Sequence, residues 1–89
     1  MPTVEFAPAF TRHVPCPPQE VPAGTLGSVL AAAFVAAPAL LPYVLDEQGA
    51  VRKHVAVFVN GDMIPDRSDL KRALAAQDRV HVIQALTGG

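Results

Sequence analysis

His54 to Val59 places Val55, Val57 and Val59 on one side and Ala56 and Phe58 on the other, then stops at Asn60-Gly61, a hairpin-turn dipeptide. A chain carrying that unit is committed to a β-sheet, and Met63-Ile64 begins the return strand. Arg79 to Leu86 repeats the two-residue period, with Val80 and Val82 on one face and His81, Ile83 and Ala85 on the other. The N-terminus does so more loosely over residues 2 to 10, where Val4 and Phe6 alternate with Thr3 and Glu5.

Between these strands the pattern changes. Thr11 to Pro18 reads T-R-H-V-P-C-P-P, and its prolines remove too many ladder donors for a central strand, so it is a loop. Gln19-Glu20-Val21-Pro22 can return as a short second strand at a sheet edge. Thr25 is placed to cap a helix running to about Ala37, because Leu26, Val29, Leu30, Ala33, Phe34 and Ala37 recur at three- and four-residue spacing. Pro38 ends that helix. Leu40, Leu41, Tyr43, Val44 and Leu45 form a second apolar cluster with a short helical turn, and Asp46-Glu47-Gln48-Gly49 is a turn. Ser68 to Ala76, with Leu70 and Leu74 four apart, reads as a short helix or 3₁₀ connector. One helix packed across a mainly antiparallel mixed sheet, in the α+β class, follows.

At 89 residues the chain holds one core, and a half-apolar composition excludes disorder. A domain this small buries only roughly 60% of its unfolded surface, which disfavours a self-contained enzyme pocket. Seven Lys and Arg against eight Asp and Glu, without a basic block, remove the footprint of nucleic-acid binding. Val21 to Leu45 carries no charge, yet it is Ala-rich and broken by Pro38 and Pro42, so it is not a membrane span. The N-terminus has no signal-peptide pattern. With a single Cys16 and no zinc-ligand spacing, no metal site is expected, and a cytoplasmic location fits best.

Cys16 lies between prolines in an expected exposed loop, but no base can be assigned to activate it. His13, His54 and His81 read as surface or strand residues rather than ligands. Asp62, Asp66 and Asp69 lack the loop glycine and closing Glu of a calcium site, so a solvated connector is the better reading.

The sequence closes on Gly88-Gly89 directly after a core strand, with Thr87 between. Frayed termini collect small residues, which is the bland reading. Against it, Leu86 to Gly89 spans at most about 14 Å and ends without side chains, so it could thread a narrow channel in another protein. An α-carboxylate is ionised at neutral pH and is a poor electrophile. An ATP-using partner would turn one oxygen into a leaving group; the acyl-adenylate would then take sulfur to give a thiocarboxylate, or a lysine amine to give an isopeptide bond.

Five stretches together resemble a known family. They are Thr25-Leu26-Gly27-Ser28-Val29-Leu30, Leu40-Leu41-Pro42-Tyr43-Val44-Leu45-Asp46-Glu47-Gln48-Gly49, His54-Val55-Ala56-Val57-Phe58-Val59-Asn60-Gly61, Asp78-Arg79-Val80-His81-Val82-Ile83 and the terminal Thr87-Gly88-Gly89. In order and spacing they are similar to the β-grasp sulfur carriers related to ubiquitin, the MoaD/ThiS family, over nearly the whole chain. The resemblance implies a single β-grasp domain over residues 1–89, with 87–89 as a flexible tail. It implies that Gly89 is adenylated by an E1-like enzyme and sulfurated, with Gly88 as its required neighbour, and that a sulfur-acceptor synthase receives the sulfur. No cofactor would be bound by the chain itself; ATP is consumed by the activating partner. Met63 and Ile83 would belong to an apolar docking patch on the open sheet face, joined by Leu86 and Thr87. Gln77 departs from the Gly frequent in the family before Asp78, and the Pro15-Cys16-Pro17-Pro18 loop has no counterpart.

The leading function is therefore a sulfur carrier acting as protein co-substrate; the alternatives are a ubiquitin-like modifier conjugated through Gly89, and a binding module that uses its sheet face without tail chemistry.

Overall fold

A computed structural model describes residues 1–84. Its strands are β1 (Thr3–Phe6), β2 (Gln19–Glu20), β3 (Val55–Val59), β4 (Asp62–Met63) and β5 (Arg79–Gln84). Among the described residues they form one sheet in the order β2-β1-β5-β3-β4. β1 and β5 run parallel at its centre, and the other neighbours are antiparallel. The helices are α1 (Pro8–Thr11), α2 (Leu26–Ala36) and α3 (Leu41–Val44), with a 3₁₀ turn at Pro38–Leu40. This is the mixed sheet with a helix packed across it that the β-grasp resemblance implies.

Alternation along the strands assigns the two faces. Val4 and Phe6 of β1, Val55 and Val57 of β3, and Val80 and Val82 of β5 are buried under α2. Leu26, Val29, Leu30, Ala33 and Phe34 supply the helix side of that core, and the Phe6 and Phe34 rings meet at 5.6 Å with a 30° tilt. Leu30 is fully buried, so Leu30→Ala should cost about 2–5 kcal/mol by removing transfer energy and opening a cavity at the helix–sheet contact. Chemical denaturation of the two proteins side by side checks this, and a loss under 1 kcal/mol would contradict the packing.

The sequence expectations hold at the helix and the hairpin. Thr25 caps α2: its hydroxyl accepts from the Ser28 N–H at 3.1 Å. Asn60 and Gly61 take φ of 53° and 87°, the left-handed pair that closes a two-residue hairpin with the twist of its strands. The turn sets Val59 opposite Asp62 and Phe58 opposite Met63. β2 is an edge strand as expected, and the apolar cluster after Pro38 is helical.

Three expectations need correction. The first strand ends at Phe6 rather than residue 10, because Pro8 occupies the first turn of α1, where a residue without an N–H is tolerated. Ser68 to Ala76 forms neither helix nor 3₁₀ connector. It runs past the N-terminus of α2, where the carbonyls of Arg72 and Leu70 accept from Leu26 N–H at 2.9 Å and Gly27 N–H at 2.8 Å. Leu74 N–H in turn donates to the Gly24 carbonyl at 2.8 Å. These carbonyls take orphan helix donors, a role they could not fill inside a helix of their own. A Cβ on Gly27 would stand 3.2 Å from the Leu70 carbonyl oxygen, so the glycine permits this close approach. Finally, Cys16 is buried at 7% exposure rather than exposed.

Asp78 ties the start of β5 to the hairpin. Its carboxylate accepts from Asn60 Nδ2 at 3.0 Å and from Ala75 N–H at 2.8 Å, while Asn60 Oδ1 accepts from Arg79 N–H at 2.9 Å. The Asn60 bond first, and the Ala75 bond second, hold the Asp78 carboxyl below its ordinary range. The Ser68 backbone and hydroxyl do the same for Asp66. A depressed folded pKa contributes stability that is present above the unfolded value of about 3.9 and lost as pH falls through the folded one. Melting midpoints measured downward from pH 6 should therefore drop as pH passes below about 4, and Asp78→Ala should flatten that drop. An unchanged acid limb in Asp78→Ala would remove this account.

Candidate functional site: the open sheet face and the C-terminal segment

The sheet face turned away from α2 is assembled by strand register. Glu5 pairs with His81 across β1 and β5, His81 with Phe58 across β5 and β3, and Phe58 with Met63 across β3 and β4. One row therefore crosses the sheet as Glu5, His81, Phe58, Met63. Ile83 pairs with Ala56 in the next row, toward the end of β5 from which residues 85–89 continue. Met63 is exposed, at 58%, and Phe58, Ala56 and Ile83 are half-buried. The result is an apolar strip over β3, β4 and the distal half of β5.

Met63 and Ile83, assigned to a docking patch from the sequence, share this face but do not pair with each other. Phe58 and Ala56 lie between them and complete the patch. Phe58 is the residue that reasoning from motifs missed, although the signal was present: a two-residue turn at Asn60-Gly61 fixes Phe58 opposite Met63. Leu86, Thr87, Gly88 and Gly89 lie outside the described residues, as does Ala85.

A polar strip adjoins the apolar one. His81 Nε2 stands 3.1 Å from Glu5 Oε1, with both side chains about half exposed. The aligned carboxylate satisfies the imidazole without burying a charge, and surface pairs of this kind contribute little to stability. The pair marks a boundary: on one side the face offers van der Waals contact, on the other hydrogen bonds.

The other candidate groups have ordinary roles. Cys16 Sγ is directed at the Pro17 carbonyl at 3.6 Å, and burial pushes its thiol up, away from the thiolate a nucleophile needs. Asp66 accepts from Ser68 N–H and Oγ at 2.9 and 2.7 Å, and Asp69 pairs with Arg72 at 3.7 Å, so these two serve the connector, while Asp62 opens β4. Among the described residues no group of three or more His, Cys, Asp or Glu side chains is arranged to hold a metal. No helix there is long and apolar enough to cross a membrane.

Comparison with known proteins agrees with this architecture. A search of curated proteins gave no match. Among solved structures, SAMP1 from Haloferax volcanii is 24% identical, covers 99% of this chain and 98% of its own, and has a TM-score of 0.80. CysO from Mycobacterium tuberculosis is 20% identical over 97% of this chain and 100% of its own, with a TM-score of 0.81. Urm1 from Sulfolobus solfataricus is 19% identical over 93% of this chain and 99% of its own, with a TM-score of 0.69. At such identities these likenesses show the shared fold. The ThiS family model matches residues 16–89, a span that takes in α2, the hairpin, β5 and the closing Thr87-Gly88-Gly89, and by that match the chain belongs to the ThiS family, as a small ubiquitin-fold protein related to sulfur carriers.

Proposed function

We propose that this protein is a sulfur carrier: an E1-like enzyme adenylates Gly89, and the adenylate is converted to a thiocarboxylate that donates sulfur to an acceptor synthase. The observation that carries this reading is the family match reaching through Gly88-Gly89, and the apolar strip on the open sheet face supports it as a surface a partner could cover. The chemistry is a two-step displacement. A Gly89 carboxylate oxygen attacks the α-phosphorus of ATP and releases pyrophosphate; sulfide sulfur then attacks the acyl carbon and AMP leaves, giving the thiocarboxylate, whereas a persulfide would first give an acyl disulfide that a further thiol cleaves to the thiocarboxylate and a disulfide. ATP belongs to the activating enzyme, and the carrier contributes the acyl group and a surface for docking. Met63, Phe58 and Ile83 form the apolar part of that surface, with Leu86 and Thr87 leading into the partner. The protein acts as a co-substrate, in keeping with a cytoplasmic biosynthetic route.

A second reading has a specific support, since the similar Haloferax protein is described as a small archaeal modifier. The same adenylate, captured by a lysine amine instead of sulfur, would give an isopeptide conjugate through Gly89. Intact mass spectrometry with and without the E1-like enzyme and ATP separates the two. Exchange of one oxygen for sulfur at Gly89 is the expected result; higher-mass conjugates alone would favour the modifier, and no change with a competent activating enzyme would overturn both.

A further inference from the structure

Beside Gln84, the last residue of β5, the surface opens into a cleft of about 250 Å³. Phe10 and Ala9 of α1 and Val55 of β3 give it apolar walls. Its polar lining is one-sided in charge: His13, Arg52, His54 and Gln84 contribute, and among the described residues no carboxylate does. Arg12 and Lys53, next in sequence to His13 and His54, are exposed as well. Tyr43, 55% exposed, supplies an aromatic wall.

Arg52 is held in place rather than waving in solvent, because its Nε donates to the Pro42 carbonyl. That bond leaves the terminal Nη groups of the guanidinium for another acceptor, in the fork geometry that suits a carboxylate. Among the described residues, Arg12, Arg52 and Lys53 make no ion pair. Asp46 Oδ1 accepts from Gln48 and Ala50 N–H at 2.9 and 3.0 Å, and Asp46 and Glu47 line, together with Arg52, a separate depression rather than the cleft itself. A cleft of this volume lies below the usual range for cofactor sites, about 300–1,000 Å³. It fits one or two side chains.

We propose that this cleft is a second docking site, which receives an acidic side chain with an apolar neighbour from the protein that takes up the C-terminal segment. The inference rests on the tail chemistry proposed above. Residues 85–89 reach at most about 17 Å beyond Gln84, so any protein enclosing Gly89 is brought close to the cleft. Opposite charge at that point sets register and speeds encounter. The cleft thereby adds an electrostatic contact at the root of the tail to the apolar contact of the open sheet face.

Two measurements test this, one of them independent of the tail. Amide NMR of the intact chain is followed during titration with a blocked peptide of alternating leucine and glutamate, with the glutamine counterpart as control. Saturable shifts confined to the amides around Phe10, His13, Arg52, Val55 and Gln84, and given only by the glutamate peptide, are expected. Equal response to both peptides, or shifts elsewhere, would overturn the site. In the second, Arg52→Glu with His54→Glu should raise the KM of the E1-like enzyme for the carrier about tenfold at low salt while kcat stays nearly unchanged, and Arg52→Lys, which keeps the charge without the fork, should raise it by a smaller factor. An unaltered KM in a variant that melts like the wild type would also overturn it. If the wild-type chain is not adenylated at all, the sulfur-carrier reading fails and the peptide titration alone decides the cleft.

Discussion

Deletion of Gly88 and Gly89 is expected to abolish adenylation and sulfur loading while leaving the melting midpoint within error of the full chain. In the proposed chemistry the reacting carbon is the carboxyl of Gly89, so removing it would remove the substrate and not merely affinity. The new terminus, Thr87, would carry a branched side chain into a channel shaped for none, and its carboxylate would stop about 7 Å short. Gly88→Val separates the two causes. It keeps the length and the terminal glycine, and should lower kcat/KM by at least about a hundredfold, since misplacing a reacting group by an ångström already costs that much. Mass spectrometry after incubation with the activating enzyme and ATP reads both variants. Retention of sulfur loading by the deletion would end the proposal, and retained partner binding with no chemistry in either protein would point to a plain binding module.

Phe58→Asp should have the next largest effect. Phe58 sits between His81 on β5 and Met63 on β4, in the middle of the apolar strip and outside the α2 core. A central aromatic at an interface contributes at least about 2 kcal/mol, and a desolvated aspartate in its place adds a penalty. Binding to the E1-like enzyme should weaken by about thirtyfold or more. The fold should tolerate the change, because strand preferences on an open face span only about 1 kcal/mol. Calorimetric titration paired with a thermal melt distinguishes lost docking from lost structure. Unchanged affinity would move the docking surface off this face, and the tail-root cleft would then have to carry recognition by itself.

Both predictions concern parts of the molecule that differ in how far the sequence discloses them. The hairpin was readable because its information is local: Asn60-Gly61 tolerates positive φ, and alternation of valines decides which face of β3 is buried. The cap and length of α2 were readable for the same reason, since Thr25 and Pro38 act on their immediate neighbours. With the hairpin known, the Phe58–Met63 pairing was available as well, although motif spacing drew notice only to Met63 and Ile83.

Long-range pairing was decided by tertiary structure. Nothing local tells β1 to lie parallel to β5, which brings Glu5 beside His81 and divides the open face into apolar and polar strips. Leu70 and Leu74 have helical spacing, yet the connector stays extended because the N-terminus of α2 needs its carbonyls as acceptors, and tertiary hydrogen bonds outweigh a short apolar period. The prolines around Cys16 favour an open loop, yet the core covers it. The tail-root cleft shows the same limit most clearly: His13, Tyr43, Arg52 and Gln84 are scattered in sequence, and only the return of β5 to the mouth of α1 and α3 gathers them. Pattern and turn chemistry determined the hairpin, the helix cap and the edge strand, because those depend on neighbours a few residues apart; the folded chain decided which surfaces stand beside the end of β5, because burial and strand register act over the whole domain.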